Sequence, residues 1–196
     1  MAKLTRVALA GEGGQGVQVV AEIIAEAAYD EGKQAIYIPN FGLEQRGGVS
    51  VAFIQVSDTR IGAPKFHTGD VVVALSSRAV RRTHQYSGPQ TLYVYDSSFE
   101  LSPQDYPPQA KQVLGIPALE RSKAIHPRVF NIIVMGLVVG LTGIVSYDAL
   151  KQALDKKLGY KFEKNPALRD MNYQALDAGI EMAREALKGG EFAHAE

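Results

Sequence analysis

Short apolar runs alternate along the chain with longer stretches of helical periodicity. The first run, Val7–Ala10, reads as a buried strand and enters a glycine-rich segment directly. Strand, glycine turn and helix form the opening unit of an α/β nucleotide-binding fold. The helix is predicted over 16–31 because apolar residues recur on one of its faces, at Val17, Val20, Ile24 and Ala28.

The later pattern continues this alternation. Asp70–Leu75 is an almost continuous apolar run, which is typical of a parallel strand covered on both faces. From Pro127 onwards the chain reads as helical: Pro127 opens a buried helix, Ser146 caps a short one, and Asn165-Pro166 begin the last. The pattern also predicts strands at 35–38, 49–56, 91–95 and 112–116, a short edge strand at 61–65, and a helix at 77–85.

These elements indicate the α/β class, with a doubly wound, mainly parallel, Rossmann-like sheet and a helical C-terminal part. Neither an internal repeat nor a convincing linker divides the sequence. We therefore expect residues 1–196 to form a single domain.

The composition excludes several classes of function. The 21 basic and 21 acidic side chains cancel, which gives no electrostatic footprint for nucleic acid or a membrane surface. The absence of cysteine excludes thiolate-held iron–sulfur clusters, Cys-ligated zinc and catalytic thiols in this chain. The N-terminus lacks the apolar core of a signal peptide, and the apolar stretch 129–145 is short for a membrane span, so we expect a cytoplasmic protein.

The first glycine segment is a candidate phosphate site. Glycines here admit unusual backbone angles and leave room for phosphates, which then face the free N–H groups of the first helical turn. The alternative is a turn whose glycines only let strand and helix pack closely. The candidate cofactor-binding residues of this segment are Gly11, Gly13, Gly14, Gln15 and Gly16.

An ordinary NAD site fits this segment poorly. A dehydrogenase usually carries an Asp or Glu at the end of the second strand, whereas this strand ends in Pro39-Asn40. Glu12 adds a negative charge inside the loop unless its side chain turns outward. The Lys-Ser/Thr ending of a P-loop is also missing.

A second cluster of special residues spans 39–50 and completes the set of candidates with Arg46, Gly47 and Gly48. In a doubly wound sheet this loop faces the same crevice as the first glycine segment. Arg46 could clamp a phosphate or a partner's carboxylate. Alternatively, the two glycines make a tight turn and Arg46 pairs with Glu44.

Other polar groups favour structural roles. Arg78, Arg81, Arg82 and His84 are spaced along one helix and read as a solvated face, with an anion or an acidic partner chain as the alternative. His67 and His126 lack metal-ligand spacing. Asn131, inside an apolar helix, either satisfies nearby backbone or points into the crevice. We predict no catalytic residue and no metal site.

Two loops together resemble a known family. Gly11–Val17, Phe41–Ser50 and Asp70–Leu75, with Asn131–Gly136 and the closing Asn165-Pro166 helix, are similar to the gamma subunit of 2-oxoacid:ferredoxin (acceptor) oxidoreductases. That family includes the pyruvate, 2-oxoglutarate, 2-oxoisovalerate and indolepyruvate enzymes. The resemblance covers essentially the whole chain.

The resemblance implies a non-catalytic subunit in a complex with alpha, beta and ferredoxin-like delta subunits. Thiamine diphosphate and iron–sulfur clusters would lie in those partners, and the complex would convert a 2-oxoacid to acyl-coenzyme A and reduce ferredoxin. This chain would bind no cofactor firmly, although it could contact coenzyme A. The alternatives are an NAD(P)-dependent dehydrogenase and a free-standing nucleotide or coenzyme A-binding module.

Overall fold

The computed structural model describes residues 4–41, 48–105 and 107–189. Six strands form one sheet in the order β2-β3-β1-β4-β5-β6. Their bounds are Leu4–Glu12 for β1, Gln34–Asn40 for β2, Val49–Ser57 for β3, Val71–Ala74 for β4, Leu92–Asp96 for β5 and Gln112–Ile116 for β6.

The sheet is mainly parallel, as predicted. Strands β1, β4, β5 and β6 pair in parallel, whereas β3 runs antiparallel to both β1 and β2. Strand β2 therefore has the direction of β1 but lies one strand further out. As a result, the start of β3 occupies the position beside β1 where a dinucleotide-binding fold places the end of its second strand.

Helices cover both faces of the sheet. The described helices are α1 at Val17–Asp30, α2 at Ser77–Thr83, α3 at Ala118–Ile125, α4 at Phe130–Thr142, α5 at Tyr147–Lys164 and α6 at Ala167–Gly189. Alternate residues of β1 point to opposite faces of the sheet, so they pack against different helices. Val7 and Leu9 join the larger core with α1, α4, α5 and α6, whereas Ala8 and Ala10 pack with α2.

The helical C-terminal part is built on a close crossing of α4 and α6. A Cβ atom at Gly136 would lie 2.3 Å from the carbonyl oxygen of Leu176, and one at Gly179 would lie 2.1 Å from that of Ile133. Glycine is required on both helices because their backbones are in contact. Helix α4 is apolar on nearly every side because it lies between the sheet and α6.

The structure corrects two predictions. Residues 61–65 form no strand; Gln55 holds this segment instead, donating from Nε2 to the Ala63 carbonyl oxygen at 2.9 Å. Ser146 does cap a helix, since its Oγ accepts the N–H of Ala149, but α5 has 18 residues and is not short. Gly62 and Pro64 both disfavour a strand in this segment, and Pro64 has no N–H to pair with a neighbouring strand.

Candidate functional site

The first glycine segment and the described ends of the second loop lie at the same edge of the sheet. Glu12 at the end of β1 lies opposite Val49 at the start of β3, and Asn40 at the end of β2 lies opposite Val51. We call this edge the rim. Gly48 is half-buried directly before β3, whereas Arg46 and Gly47 lie outside the described residues.

Glycine is needed in the first segment for two different reasons. Gly14 and Gly16 have φ of 94° and 74°, in the left-handed region that residues with a Cβ rarely adopt. Gly11 does not, so the expectation of unusual angles there is wrong. A Cβ at Gly11 would instead lie 2.7 Å from Oε1 of Gln15. Gly13 and Gly14 are exposed, and space is open around Gly14.

Gln15 fixes the shape of the turn. Its Oε1 accepts the backbone N–H of Glu12 at 2.6 Å, and its Nε2 donates to the carbonyl oxygen of Leu75 at 3.0 Å. The side chain thus joins the glycine turn to the residue that follows β4. Its amide oxygen and nitrogen are both engaged within the protein.

Gln18, one turn further along α1, makes the corresponding connection to the other side of the rim. Tyr37 on β2 donates its hydroxyl to Oε1 of Gln18 at 2.7 Å, and Nε2 of Gln18 donates to the Val51 carbonyl oxygen at 3.4 Å. The candidates from the sequence included Gln15 but neither Gln18 nor Tyr37. The signal was present in the three-residue spacing of Gln15 and Gln18, which places both amides near the start of one helix.

The carboxylate of Glu12 does turn away from the loop. Arg78 on α2 donates to both of its oxygens, from Nε at 3.0 Å and from Nη2 at 2.7 Å. This bidentate pair holds the pKa of Glu12 below its ordinary value, with the hydrogen bond from Arg78 as the main cause. The negative charge that argued against a phosphate is therefore paired.

The rest of the arginine group on α2 connects to the chain after β5. Arg81 donates to Asp105 from Nε at 3.0 Å, and the ring of His84 contacts the backbone carbonyl of Asp105. Arg81 lowers the pKa of the Asp105 carboxyl. All three arginines are exposed, so the group does form a solvated face, in which Arg78 and Arg81 also pair with carboxylates.

Helices α1 and α4 lie side by side with the same direction. At the rim, a Cβ on Gly16 would lie 2.9 Å from the Cβ of Asn131 in the first turn of α4. At the far end, Lys33 donates from Nζ to the carbonyl oxygen of Ile144, just past the end of α4, at 2.7 Å. Two positive helix ends therefore meet beside the glycine turn.

The two N-termini differ in how their own sequence satisfies them. A 3₁₀ turn at Pro127–Val129 leads directly into α4, and Nδ1 of His126 accepts the N–H of Arg128 at its start, at 3.1 Å. Among the described residues no side chain caps α1 or α4, and neither helix has an acidic residue in its first turn. The half-buried amide of Asn131 makes no hydrogen bond with any described residue. The start of α1 thus has no side-chain cap, and the Asn131 amide lies beside it, an arrangement that suits an anion.

Another concave surface has the opposite character. A groove of about 420 Å³ between α3 and α6 is lined by Met182, Pro117 and the carboxylates of Glu120, Glu181 and Glu185, with Arg121. Its charge does not suit a phosphate. Within the described ranges no group of three His, Asp or Glu side chains is arranged to hold a metal ion, and no helix there is long and apolar enough to cross a bilayer.

These features define an α/β protein with a glycine turn at the rim of its mainly parallel sheet. The chain belongs to the pyruvate ferredoxin/flavodoxin oxidoreductase family, whose model matches residues 6–182. The family expected from the two glycine loops is confirmed.

Three similar proteins illustrate the relationship. Ketoisovalerate oxidoreductase subunit VorA of Methanothermobacter thermautotrophicus is 32% identical over 94% of this chain and 37% of its own length. The solved 2-oxoglutarate:ferredoxin oxidoreductase from Magnetococcus marinus, with 2-oxoglutarate, coenzyme A and succinyl-CoA bound, is 26% identical with a TM-score of 0.83 over 99% of this chain and 33% of that chain.

The third is the gamma subunit of keto/oxoacid ferredoxin oxidoreductase from Geobacter sulfurreducens PCA. It is 28% identical with a TM-score of 0.71, over 93% of this chain and 99% of that subunit. The chain therefore spans about a third of the longer relatives but nearly the whole of a separate gamma subunit.

Proposed function

We propose that this chain is the gamma subunit of a coenzyme A-dependent 2-oxoacid:ferredoxin oxidoreductase. In this proposal residues 1–196 act as one domain in the cytoplasm, and companion alpha, beta and ferredoxin-like delta subunits hold thiamine diphosphate and the iron–sulfur clusters. The family membership and the match to a full-length gamma subunit support it. The lack of cysteine agrees, because cluster ligands then have to come from another chain.

The site proposed for this chain is the rim, and its ligand is a phosphate group of coenzyme A. The observation that carries the proposal is the convergence of the N-termini of α1 and α4 beside Gly14 and Gly16. Each helix end favours a nearby anion by about 0.3–1 kcal/mol. Asn131 can add a donor from its amide, and Arg46, Gly47 and Gly48 are proposed to complete the site from the facing loop.

The rim can position a phosphate but supplies no reactive group. Gln15 and Glu12 are engaged by neighbours within the protein, and the described part of the rim brings no nucleophile and base together. The subunit would therefore bind and orient the nucleotide end of coenzyme A. Bond breaking and electron transfer would belong to cofactors in the companion subunits.

A substitution with opposite effects on folding and on binding tests this site. Asn131→Asp adds a negative charge near two helix N-termini, which stabilises the fold by about 0.3–1 kcal/mol and repels a phosphate. We expect its melting temperature to rise and its affinity for coenzyme A to fall at least about tenfold in calorimetric titrations. Gln174→Glu, the same change of charge on an exposed position of α6, is the control and keeps the wild-type affinity.

Pantetheine, which lacks the phosphates, is the matched ligand control and is expected not to bind at the rim. Equal coenzyme A affinity in wild-type protein and Asn131→Asp would contradict the proposed site. The role as a gamma subunit has its own test, since it requires co-expressed companion subunits to copurify with this chain as an iron–sulfur protein. A chain that purifies without them would contradict that role even if the rim bound coenzyme A.

The alternative of an NAD(P)-dependent dehydrogenase has little support. Strand β3 separates β2 from β1, and the end of β2 offers Asn40 instead of a carboxylate for a ribose. A free-standing coenzyme A-binding module would share the rim, and only the copurification experiment separates it from the proposed subunit.

A further inference from the structure

Strand β2 forms one edge of the sheet, and its sequence lacks the usual protection of an edge. Its residues, Gln34–Asn40, include no charged side chain. Natural edge strands generally carry charges, bulges or proline, because their unpaired N–H and C=O groups invite pairing with another chain. Pro39 provides a single such feature near one end. No described element pairs with the outer side of β2.

The side chains of β2 also leave apolar surface uncovered. Ala35 and Tyr37 pack against the larger core on one face of the sheet. Ile36 and Ile38 alternate with them onto the other face, where they are half-buried and belong to neither apolar cluster of the described residues. Phe41, directly after the strand, is 67% exposed.

We propose that β2 pairs antiparallel with β2 of a second copy of this chain, about a two-fold axis at Tyr37. Such an axis places Ile36 of one copy opposite Ile38 of the other, so that the two uncovered side chains pack together. The two six-stranded sheets become continuous through the pair. This inference does not depend on coenzyme A binding.

The backbone of β2 can pair in this register, although Pro39 costs the pair one N–H···O bond on each side of the axis because it has no N–H to donate to Ala35 of the other copy. Pro39 has no N–H, and prolines in edge strands occupy positions whose N–H would point away from the neighbouring strand. Ala35 and Tyr37, at the same alternation, therefore direct their backbone groups outward as well. Across the axis the two Tyr37 residues exchange N–H···O bonds, and Ala35 donates to the carbonyl oxygen of Pro39 in the other copy.

Charge favours a second copy as the occupant. A two-fold axis brings each central residue close to its own equivalent, so that a charged side chain there would face a like charge. Strand β2 has none. The formal net charge of the whole chain is also zero, which removes long-range repulsion between two copies.

The oligomeric state of the purified full-length chain tests the pairing. We expect wild-type protein to show a monomer–dimer equilibrium by sedimentation velocity over a concentration series. Ile38→Lys, which adds a charge at the centre of the edge, is expected to be monomeric with an unchanged circular dichroism spectrum. Leu187→Lys, on an exposed position of α6, is the matched control and remains dimeric.

The register has a separate test, because the chain contains no cysteine. Ile36→Cys and Ile38→Cys proteins, one of them carrying a mass tag, are oxidised singly and as a mixture. Directly opposed residues of a non-hydrogen-bonded pair have Cα atoms about 4.5 Å apart, within disulfide reach, whereas diagonal neighbours are about 7–8 Å apart. We therefore expect the mixed disulfide to form in preference to either symmetric one.

Wild-type protein that remains monomeric at every concentration would overturn the proposal, including the case in which a companion subunit binds along β2. A dimer that survives Ile38→Lys would place the interface elsewhere and overturn it as well. Failure of the mixed disulfide to form would overturn the antiparallel pairing at Tyr37.

Discussion

Gly14 and Gly16 show that single residues determine the backbone conformation of the glycine turn at the rim. Both have left-handed backbone angles, but only Gly16 is also crowded, by the side chain of Asn131. The turn therefore tolerates a side chain at position 14 better than at position 16.

Alanine substitutions separate the two effects. Gly14→Ala should lower the free energy of unfolding by about 1–2 kcal/mol, the cost of a left-handed residue with a Cβ. Gly16→Ala should lower it by about 1–3 kcal/mol more, because the new methyl group overlaps Asn131. Urea denaturation measures both values. Equal losses in the two variants would show that Asn131 moves aside without cost.

The pair between Glu12 and Arg78 predicts a pH dependence. The folded-state pKa of Glu12 is lowered, so its contribution is present above the ordinary glutamate pKa and is lost as pH falls through the lowered value. We expect wild-type protein to be more stable than Glu12→Gln by about 0.2–1 kcal/mol at neutral pH, as for other exposed pairs. The difference should shrink as the pH falls below the ordinary glutamate pKa and vanish once the pH is below the lowered folded-state pKa.

Stability curves of the two proteins at several pH values give this comparison, with Glu100→Gln as the control on an exposed residue. A difference that persists unchanged in acid would mean that the glutamine acts through the shape of the turn and not through charge.

Among the elements, the crossing of α4 and α6 is the most sensitive to side-chain size. Gly136→Ala and Gly179→Ala each place a methyl group within van der Waals overlap of the other helix's backbone, which cannot move as a side chain can. We expect losses of about 3 kcal/mol or more for each, at or above the usual range for overpacking. Thermal and urea unfolding measure the loss.

Gly159→Ala is the control for this crossing. Gly159 lies inside α5 with nothing near its missing Cβ, so alanine there should stabilise the protein by about 0.5–1 kcal/mol. Similar behaviour of all three variants would contradict the backbone contact between α4 and α6.

The packing of α5 on α6 predicts a loss of stability in alkaline solution. Tyr147 donates to Asp177 at 2.5 Å and Tyr173 donates to Asp155 at 2.7 Å. Burial, followed by these carboxylates, raises the pKa of each tyrosine to about 12. Folded protein then keeps protons that unfolded protein releases above its ordinary value of 10.0, so stability falls as pH rises from there towards 12.

We expect the melting temperature of wild-type protein to drop over this interval, and that of the Tyr147→Phe/Tyr173→Phe double variant to drop less. Absorbance at the tyrosinate band follows the titration independently. Parallel curves for the two proteins would exclude these tyrosines as the cause.

At the scale of the whole molecule, burial is greatest in the middle of the sheet. Val7–Ala10 of β1 are fully buried between paired strands on both sides, whereas β6 has one neighbour and an exposed Gly115. Amide hydrogen exchange should therefore be slowest in β1 and β4 and faster in β6. Equal protection of β1 and β6 would show that the sheet opens only with the entire fold.

The sequence was sufficient for most of the architecture. Continuous apolar runs and a helical period predicted the strands and helices, because burial on both faces of a sheet leaves a strong pattern. The antiparallel β3 could not be foreseen, since an amphipathic strand reads the same in either direction. The strand predicted at 61–65 does not form, because the side chain of Gln55 holds the Ala63 carbonyl oxygen, a contact that leaves no pattern in the sequence.

The sequence predicted where the rim lies but not the side-chain contacts within it. Glycine spacing indicated where the turn lies, but the pairing of Glu12 with Arg78 joins residues 66 positions apart. Likewise, the meeting of Asn131 with Gly16 depends on how α4 packs beside α1. Such contacts are decided by tertiary packing and leave no periodicity in the sequence.

Helices α1 and α4 are parallel neighbours. Their positive amino ends therefore lie side by side, and so do their negative carboxyl ends. At the carboxyl ends the ammonium group of Lys33 offsets the accumulated negative charge through Ile144. Among the described residues, no acidic side chain in either first turn does the same for the amino ends, so a repulsion remains there that a small divalent anion would relieve. Sulfate should therefore raise the melting temperature more than chloride at equal ionic strength, even in the absence of any nucleotide.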